Sequence, residues 1–294
     1  MKKLLTLLLA TLFLFGLVAC GTANNEGDSA DNANGSAEGN EEETGSENEE
    51  TTSITIGAMS VPHAEILEEA RPLLKEKGIE IKIEEYQEFV LPNEDLANGV
   101  IDANYFQHTP YLEQQMEEKD FDFANLGGIH IEPMGIYSKN IDSLDKVEEG
   151  TTVIMSRSVS DHGRILSLLQ QEELVKIDED VDPVDATIED IVENPRDLQF
   201  DASIDAGLLP QFYEREANAI VAINTNYAIE AGLVPSEDAL IVESSDSPYA
   251  NVIAARSEDK DNEALHTLVD VLRSEEIQTF MEEEYDGAIV PVSE

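Results

Sequence analysis

A strand-length run, Ser53-Ile-Thr-Ile-Gly57, is followed by a segment in which Ile66, Leu67, Ala70, Leu73 and Leu74 recur at helical spacing. Ile54 and Ile56 share one face of the strand, so a period of two gives way to one of three to four. Pro72 predicts a break or kink in the helix, and Gly78 is placed to end it. Ile79, Ile81 and Ile83 then alternate as a second strand. The same rhythm returns at Thr151 to Met155, in a helix carrying Ile165, Leu166 and Leu169, at Ala219 to Ile223 and at Ala239 to Val242. Alternation of this kind predicts an α/β fold with mainly parallel sheets. The middle of the chain carries its own set of strands and helices, so two lobes are expected. The first takes residues from about 53 to 135 and 240 to 294, the second from about 136 to 239. A last helix over about Asn262 to Glu284, with Leu265, Leu268, Val269 and Leu272 to bury, is expected to return to the first lobe.

The N-terminal residues set where this body works. Met1-Lys2-Lys3 precedes an almost unbroken apolar run from Leu4 to Ala19, the basic-then-apolar order of a secretory signal. The run is too short for a comfortable permanent span. A retained signal anchor is the competing reading, but Leu17-Val18-Ala19-Cys20-Gly21 resembles the lipobox before the modified cysteine of bacterial lipoproteins. Residues 1–19 therefore read as a signal peptide and Cys20 as the lipid-bearing residue. Cys20 is the only cysteine, which rules out a disulfide within the chain. From Gly21 to Thr52 the chain is Gly, Ala, Asn, Ser, Thr and acids, without Lys, Arg, aromatic or branched aliphatic residues. Such a segment cannot bury enough apolar surface to fold, and it reads as an acidic tether. The net charge of −47 argues against nucleic acid as a partner and fits a solvated surface suited to high salt.

Few residues suggest bond-making chemistry. The five histidines, His63, His108, His130, His162 and His266, show no metal-ligand spacing, so zinc gains no support from sequence. Ser160, Asp161 and His162 supply the residue types of a hydrolase triad, but sequence neighbours rarely point at one another, and no Gly-x-Ser-x-Gly turn is present. No phosphate-cradling glycine loop appears, so no cofactor is expected. More informative is the run Asp102 to Tyr111, where Thr109 and Pro110 suit a helix start. Phe106 and His108, two apart, would face the same way, with Tyr111 closing an aromatic group; ordinary core is the alternative. Arg164 is one of only 17 basic residues and lies in the first turn of a helix that Ser160 could cap. Its guanidinium is either a fork for a carboxylate or a surface arginine paired with one of the many acids.

Six stretches, in order, resemble the methionine-binding lipoproteins of bacterial ABC importers, the NlpA/MetQ family. They are Pro62-His-Ala-Glu-Ile66, Val90-Leu-Pro-Asn-Glu94, Ile101-Asp-Ala-Asn-Tyr-Phe-Gln-His108, Val192-Glu-Asn-Pro195, Ala222-Ile-Asn-Thr225 with Tyr227-Ala228, and Ser247-Pro-Tyr-Ala-Asn251. The resemblance implies a two-lobed, periplasmic-binding-protein-like fold that closes on one amino acid in the interlobe cleft. It further implies a lipid-anchored monomer on the outer face of the cell membrane, no enzyme, that delivers methionine to a permease and its ATPase. Carried over residue by residue, Arg164 grips the ligand carboxylate, Asn224 and Asn251 orient its polar end, and Phe89, Phe106, His108 and Tyr111 form the side-chain pocket. Two departures bear on the ligand. Phe89 stands where the family usually shows tyrosine, and Ser158-Val-Ser-Asp-His-Gly-Arg164 replaces the commoner Asp-Pro-Thr-Asn before the arginine. Asp161 then either engages the ligand ammonium or caps the helix, and the ligand is L-methionine, D-methionine, or a derivative such as a methionine-containing dipeptide. An exported acid-rich hydrolase and a scaffolding lipoprotein are the alternatives from other classes.

Overall fold

A computed structural model describes residues 51–292. The expected signal peptide, Cys20 and all but the last two residues of the tether lie outside the described residues. The chain begins with β1 (Thr52–Met59), a helical turn over Ser60–Ala64, α1 (Glu65–Glu76), β2 (Ile79–Tyr86) and α2 (Leu91–Ala97). It continues through β3 (Ala103–His108), α3 (Thr109–Lys119), β4 (Phe123–Ile131), β5 (Gly135–Tyr137), β6 (Thr152–Ser156) and α4 (His162–Gln171). Next come β7 (Lys176–Ile177), β8 (Ile191–Glu193), β9 (Gln199–Ile204), α5 (Leu209–Arg215), β10 (Ile220–Ile223), α6 (Thr225–Glu230), α7 (Pro235–Asp238) and β11 (Ile241–Val242). The last elements are β12 (Ala250–Arg256), α8 (Glu263–Leu272), α9 (Glu275–Glu284) and β13 (Val290–Pro291).

Two sheets organise these elements into a mixed α/β fold. The first has the order β13-β4-β12-β3-β1-β2, the second β11-β5-β10-β6-β9, and β7 with β8 forms a small separate pair. The chain crosses between the two large sheets twice, at residues 132–134 and 243–249. The expectation of mainly parallel sheets needs correction. β1 runs parallel to β2 and β3, and β6 parallel to β9 and β10, but β12 is antiparallel to β3 and β4, and β5 to β10 and β11. The reason is the crossing itself: β5 and β12 enter their sheets from the other one, without the intervening helix that keeps βαβ strands parallel.

Each sheet has its own apolar core. Ile56, Leu67, Leu74, Leu265, Leu268 and Ile277 belong to the first, and Val153, Ile165, Leu166, Leu169 and Ile220 to the second. Each such side chain contributes about 1.5–3 kcal/mol when fully buried. The burial of Ile66, Leu67, Ala70 and Leu74 also carries α1 through Pro72, where a break was expected; the proline sits exposed inside an unbroken helix. The expected single C-terminal helix is two, because Ser274 adopts an extended conformation (φ −66°, ψ 153°) between α8 and α9. Both helices pack with α1 on the first core. A third cluster draws Met59, Phe106 and Tyr111 from the first sheet and its helices together with Ile154, Val221 and Tyr227 from the second. Residues of both sheets meet there, and the functional cavity adjoins it.

Candidate functional site

β3 delivers His108 to the start of α3, where its ring replaces the usual Ser or Asp cap. His108 Nδ1 accepts the Tyr111 backbone N–H at 3.2 Å. That bond assigns the ring proton to Nε2, which donates to Asp161 Oδ1 at 3.1 Å. Asp161 Oδ2 accepts from Asn224 Nδ2 at 3.3 Å, so a strand end, the start of α4 and the start of α6 converge on one carboxylate. Burial pushes the Asp161 carboxyl up. The His108 hydrogen bond, with Arg164 and Asn224, outweighs it and holds the group below the usual carboxylate range. Asp161 makes no capping bond to α4, which removes capping as its role. Ser160 does not cap either; its hydroxyl meets Ser158 Oγ at 3.0 Å.

Arg164, in the first turn of α4, is 5% exposed and held on several sides. Nε donates to Glu243 Oε2 at 3.1 Å, Nη2 reaches the same oxygen, and Nη2 also donates to the Glu132 carbonyl at 2.8 Å. Nη1 stands 3.9 Å from Asp161 Oδ1, and the guanidinium lies 4.5 Å from the centre of the Tyr249 ring. The surface reading of Arg164 is thereby excluded. Gly163 allows this approach, since a Cβ there would fall 2.2 Å from the Pro183 carbonyl oxygen.

The opposite wall is aromatic. Phe89, half-buried, lies 5.0 Å from Tyr227, 6.0 Å from Phe106 and 6.2 Å from Tyr111 between ring centres. Such spacings suit tilted and edge-on packing. Tyr111 Oη donates to the Phe89 carbonyl at 3.2 Å and Tyr227 Oη to the Gln87 carbonyl at 3.3 Å, leaving the ring faces apolar.

All seven residues singled out beforehand, Phe89, Phe106, His108, Tyr111, Arg164, Asn224 and Asn251, line one cavity, together with Glu132, Asp161, Thr225 and Asn226. The volume open to the centres of water-sized spheres is ≈ 30 Å³, room for about two waters where one needs ~10–15 Å³. Asn224 Oδ1 is buried without a partner. The residue types suit binding: one buried cation, amide groups and an apolar wall. The triad is not assembled, because Asp161 pairs with His108 while His162 Nε2 donates to the Ser156 carbonyl at 3.1 Å.

Glu132, Glu243 and Tyr249 were missed by sequence reasoning. Glu132 carried a signal, an acid set between the apolar run Ile129-His130-Ile131 and Pro133. Glu243 carried none, being one of 64 acids.

A family model described as NlpA lipoprotein matches residues 54–293. The methionine-binding lipoprotein MetQ of Bacillus subtilis (strain 168) is 41% identical over 296 residues, covering all of both chains. Among solved structures, a pheromone cOB1 precursor/lipoprotein of the YaeC family from Enterococcus faecalis V583 is 45% identical with a TM-score of 0.80, over 82% of this chain and 100% of that one. A nutrient binding protein from Burkholderia cenocepacia bound to methionine is 34% identical with a TM-score of 0.77, again over 82% and 100%.

Proposed function

This chain belongs to the NlpA lipoprotein family, and we propose from that premise that it captures methionine for an ABC importer. The observation that carries the reading is the shared cavity, lined by a buried guanidinium and amides and by a cluster of tilted and edge-on aromatic rings. A free amino acid is a zwitterion with an apolar tail. Arg164 takes the carboxylate, Asp161 the ammonium, Asn224 and Asn251 orient the pair, and Phe89, Phe106 and Tyr111 surround the thioether. Removing this head group from water is costly unless each charge is paired, while sulfur gains from contact with aromatic edges. No bond is made or broken.

The narrow cavity supports a closed arrangement. Methionine enters when the two sheet-bearing halves, taken as the two lobes with boundaries near residues 135 and 240, draw apart. The protein acts as a monomer held by lipid at Cys20 on the outer face of the cell membrane, and the tether raises its effective concentration near the permease and its ATPase. Calorimetry with L-methionine, D-methionine, a methionine-containing dipeptide and other amino acids tests the reading. Saturable one-to-one binding of a methionine compound is expected, and no binding across the panel overturns it. Arg164→Ala removes one partner of a buried charge pair and is expected to cost about 3–5 kcal/mol of binding, more than a hundredfold in Kd; near-unchanged affinity would exclude Arg164.

A further inference from the structure

Beside the cavity lies a cluster built on two histidines that methionine capture leaves unused. His63 enters from the turn after β1, His130 from the end of β4, and Glu132 from the first residue of the crossing. His130 Nε2 stands 2.9 Å and His63 Nε2 3.1 Å from the same atom, Glu132 Oε1, and the three ligating atoms all lie within 4.8 Å of one another. Asn251 Oδ1 is a fourth polar atom, 3.2 Å from His63 Nε2. All four residues are buried. Spacing along the chain concealed the group, because His63 is brought to the other two only by the fold, which holds β1 and β4 in one sheet with β3 and β12 between them.

Charge makes the cluster more than an ordinary polar network. The Asp161 and Glu243 carboxylates share one guanidinium, Arg164, while the buried Glu132 carboxylate has the two imidazoles, His63 and His130, as its ion-pair partners among the described residues. A methionine zwitterion adds no net charge. Surplus negative charge away from water is costly, and a dication cancels it. His63 Nδ1 is also buried without a partner.

We propose that His63, His130 and Glu132, with the side-chain oxygen of Asn251, form a binding site for a divalent metal ion of the zinc class. Two imidazoles with a carboxylate are a donor set that zinc favours. With bonds of ~2.0–2.2 Å, tetrahedral ligand atoms stand about 3.3–3.5 Å apart, so the contacts of 2.9–3.2 Å expand by a few tenths of an ångström, and the two imidazole nitrogens, within 4.8 Å of each other, settle to the same spacing. Binding moves each imidazole proton from Nε2 to Nδ1 and releases none, and Glu132 coordinates as the carboxylate. On His130 the relocated proton meets Tyr105 Oη, which already contacts Nδ1; an outer partner of this kind orients a ligating histidine. Glu132 lines the cavity, so the ion has a route in from the cleft and fixes the wall against which the ligand packs.

The test uses the full-length chain in detergent, stripped with a chelator, then titrated with Zn²⁺ by calorimetry and with Co²⁺ by visible absorbance. One tight site per chain is expected above weak binding by surface acids, with the intense bands of four-coordinate, nitrogen-ligated Co²⁺. His63→Gln and His130→Gln are each expected to weaken it at least ~100-fold, and Tyr105→Phe ~10–100-fold. Zn²⁺ binding that is equally strong in the two histidine variants, or the faint spectrum of octahedral all-oxygen Co²⁺ in the unaltered protein, overturns the proposal. Should either histidine variant fail to fold, the Co²⁺ spectrum and Tyr105→Phe still decide. Methionine titrated into the same stripped protein keeps the two readings apart: binding retained without a metal site defeats this inference alone.

Discussion

The Arg164 guanidinium and the Glu243 carboxylate meet edge-on, with Nε and Nη2 both directed at Oε2, across 79 residues of sequence. Glu243 is absent from the cavity lining, whereas Arg164 is part of it. The acid therefore holds the Nε–Nη2 edge of the arginine and leaves Nη1 on the side of Asp161. Met134 N–H, at 3.1 Å, and Ser247 Oγ, at 2.9 Å, fix the carboxylate in turn. Glu243→Ala is expected to cost about 3 kcal/mol of stability, the low end for breaking a buried pair, because its side chain keeps 12% exposure. Methionine affinity should fall with it. Denaturant midpoints and calorimetry check both.

Asp161 sets an acid limit. Burial alone would raise its pKa, but the His108 contact, Arg164 and Asn224 leave it lower than in the unfolded chain. A carboxyl more acidic when folded stabilises the protein fully above about pH 5, and that contribution is lost as pH falls through its native pKa. Between pH 5 and 2 the unaltered protein should therefore lose more stability than Asp161→Asn. Parallel denaturation at pH 7, 5 and 3 measures the difference; equal losses would show that Asp161 is not held below its ordinary range.

Gly163 places the start of α4. Its Cβ would also fall 2.6 Å from the Val184 carbonyl oxygen, and backbone atoms cannot swing aside as a flexible side chain can. Gly163→Ala should cost about 1–3 kcal/mol of stability through overpacking and weaken methionine binding, since Asp161 and Arg164 flank the site of the shift. Unchanged thermal unfolding and affinity would mean the Pro183–Val184 segment yields freely.

Phe89 is the aromatic residue with least burial in the wall, so its loss tests contact more than folding. Phe89→Ala should raise the methionine Kd about fivefold, from ~1 kcal/mol of sulfur–ring and apolar contact. Its unfolding midpoint should move little. Phe89→Tyr should leave affinity near that of the unaltered protein if the ring alone matters.

Periodicity was enough for β1, β2 and α4, and short continuous apolar runs for β6 and β10, whose strands are buried on both faces. It failed where direction or tertiary packing decides. Nothing in β12 announces that it arrives from another sheet and runs antiparallel, nothing around Pro72 shows that burial will carry the helix through it, and Ser274 looked like any helical serine. The site divides in the same way. Phe106, His108 and Tyr111 are sequence neighbours and could be grouped by eye, but their company with Arg164, Asn224 and Asn251 came from resemblance, not from spacing. Glu132, Glu243 and the His63–His130 pair acquire their meaning only through contacts made at the crossings and between strands.

Both crossings between the sheets end up tied to one side chain. Arg164 Nη2 holds the Glu132 carbonyl at the start of residues 132–134, and Nε holds Glu243 at the start of residues 243–249. Two plates joined by a pair of straps turn about the line through the straps, and this guanidinium grips both straps at once. A side chain bonded to both straps couples them, so whatever changes the pairing of Arg164 is felt by the two crossings together.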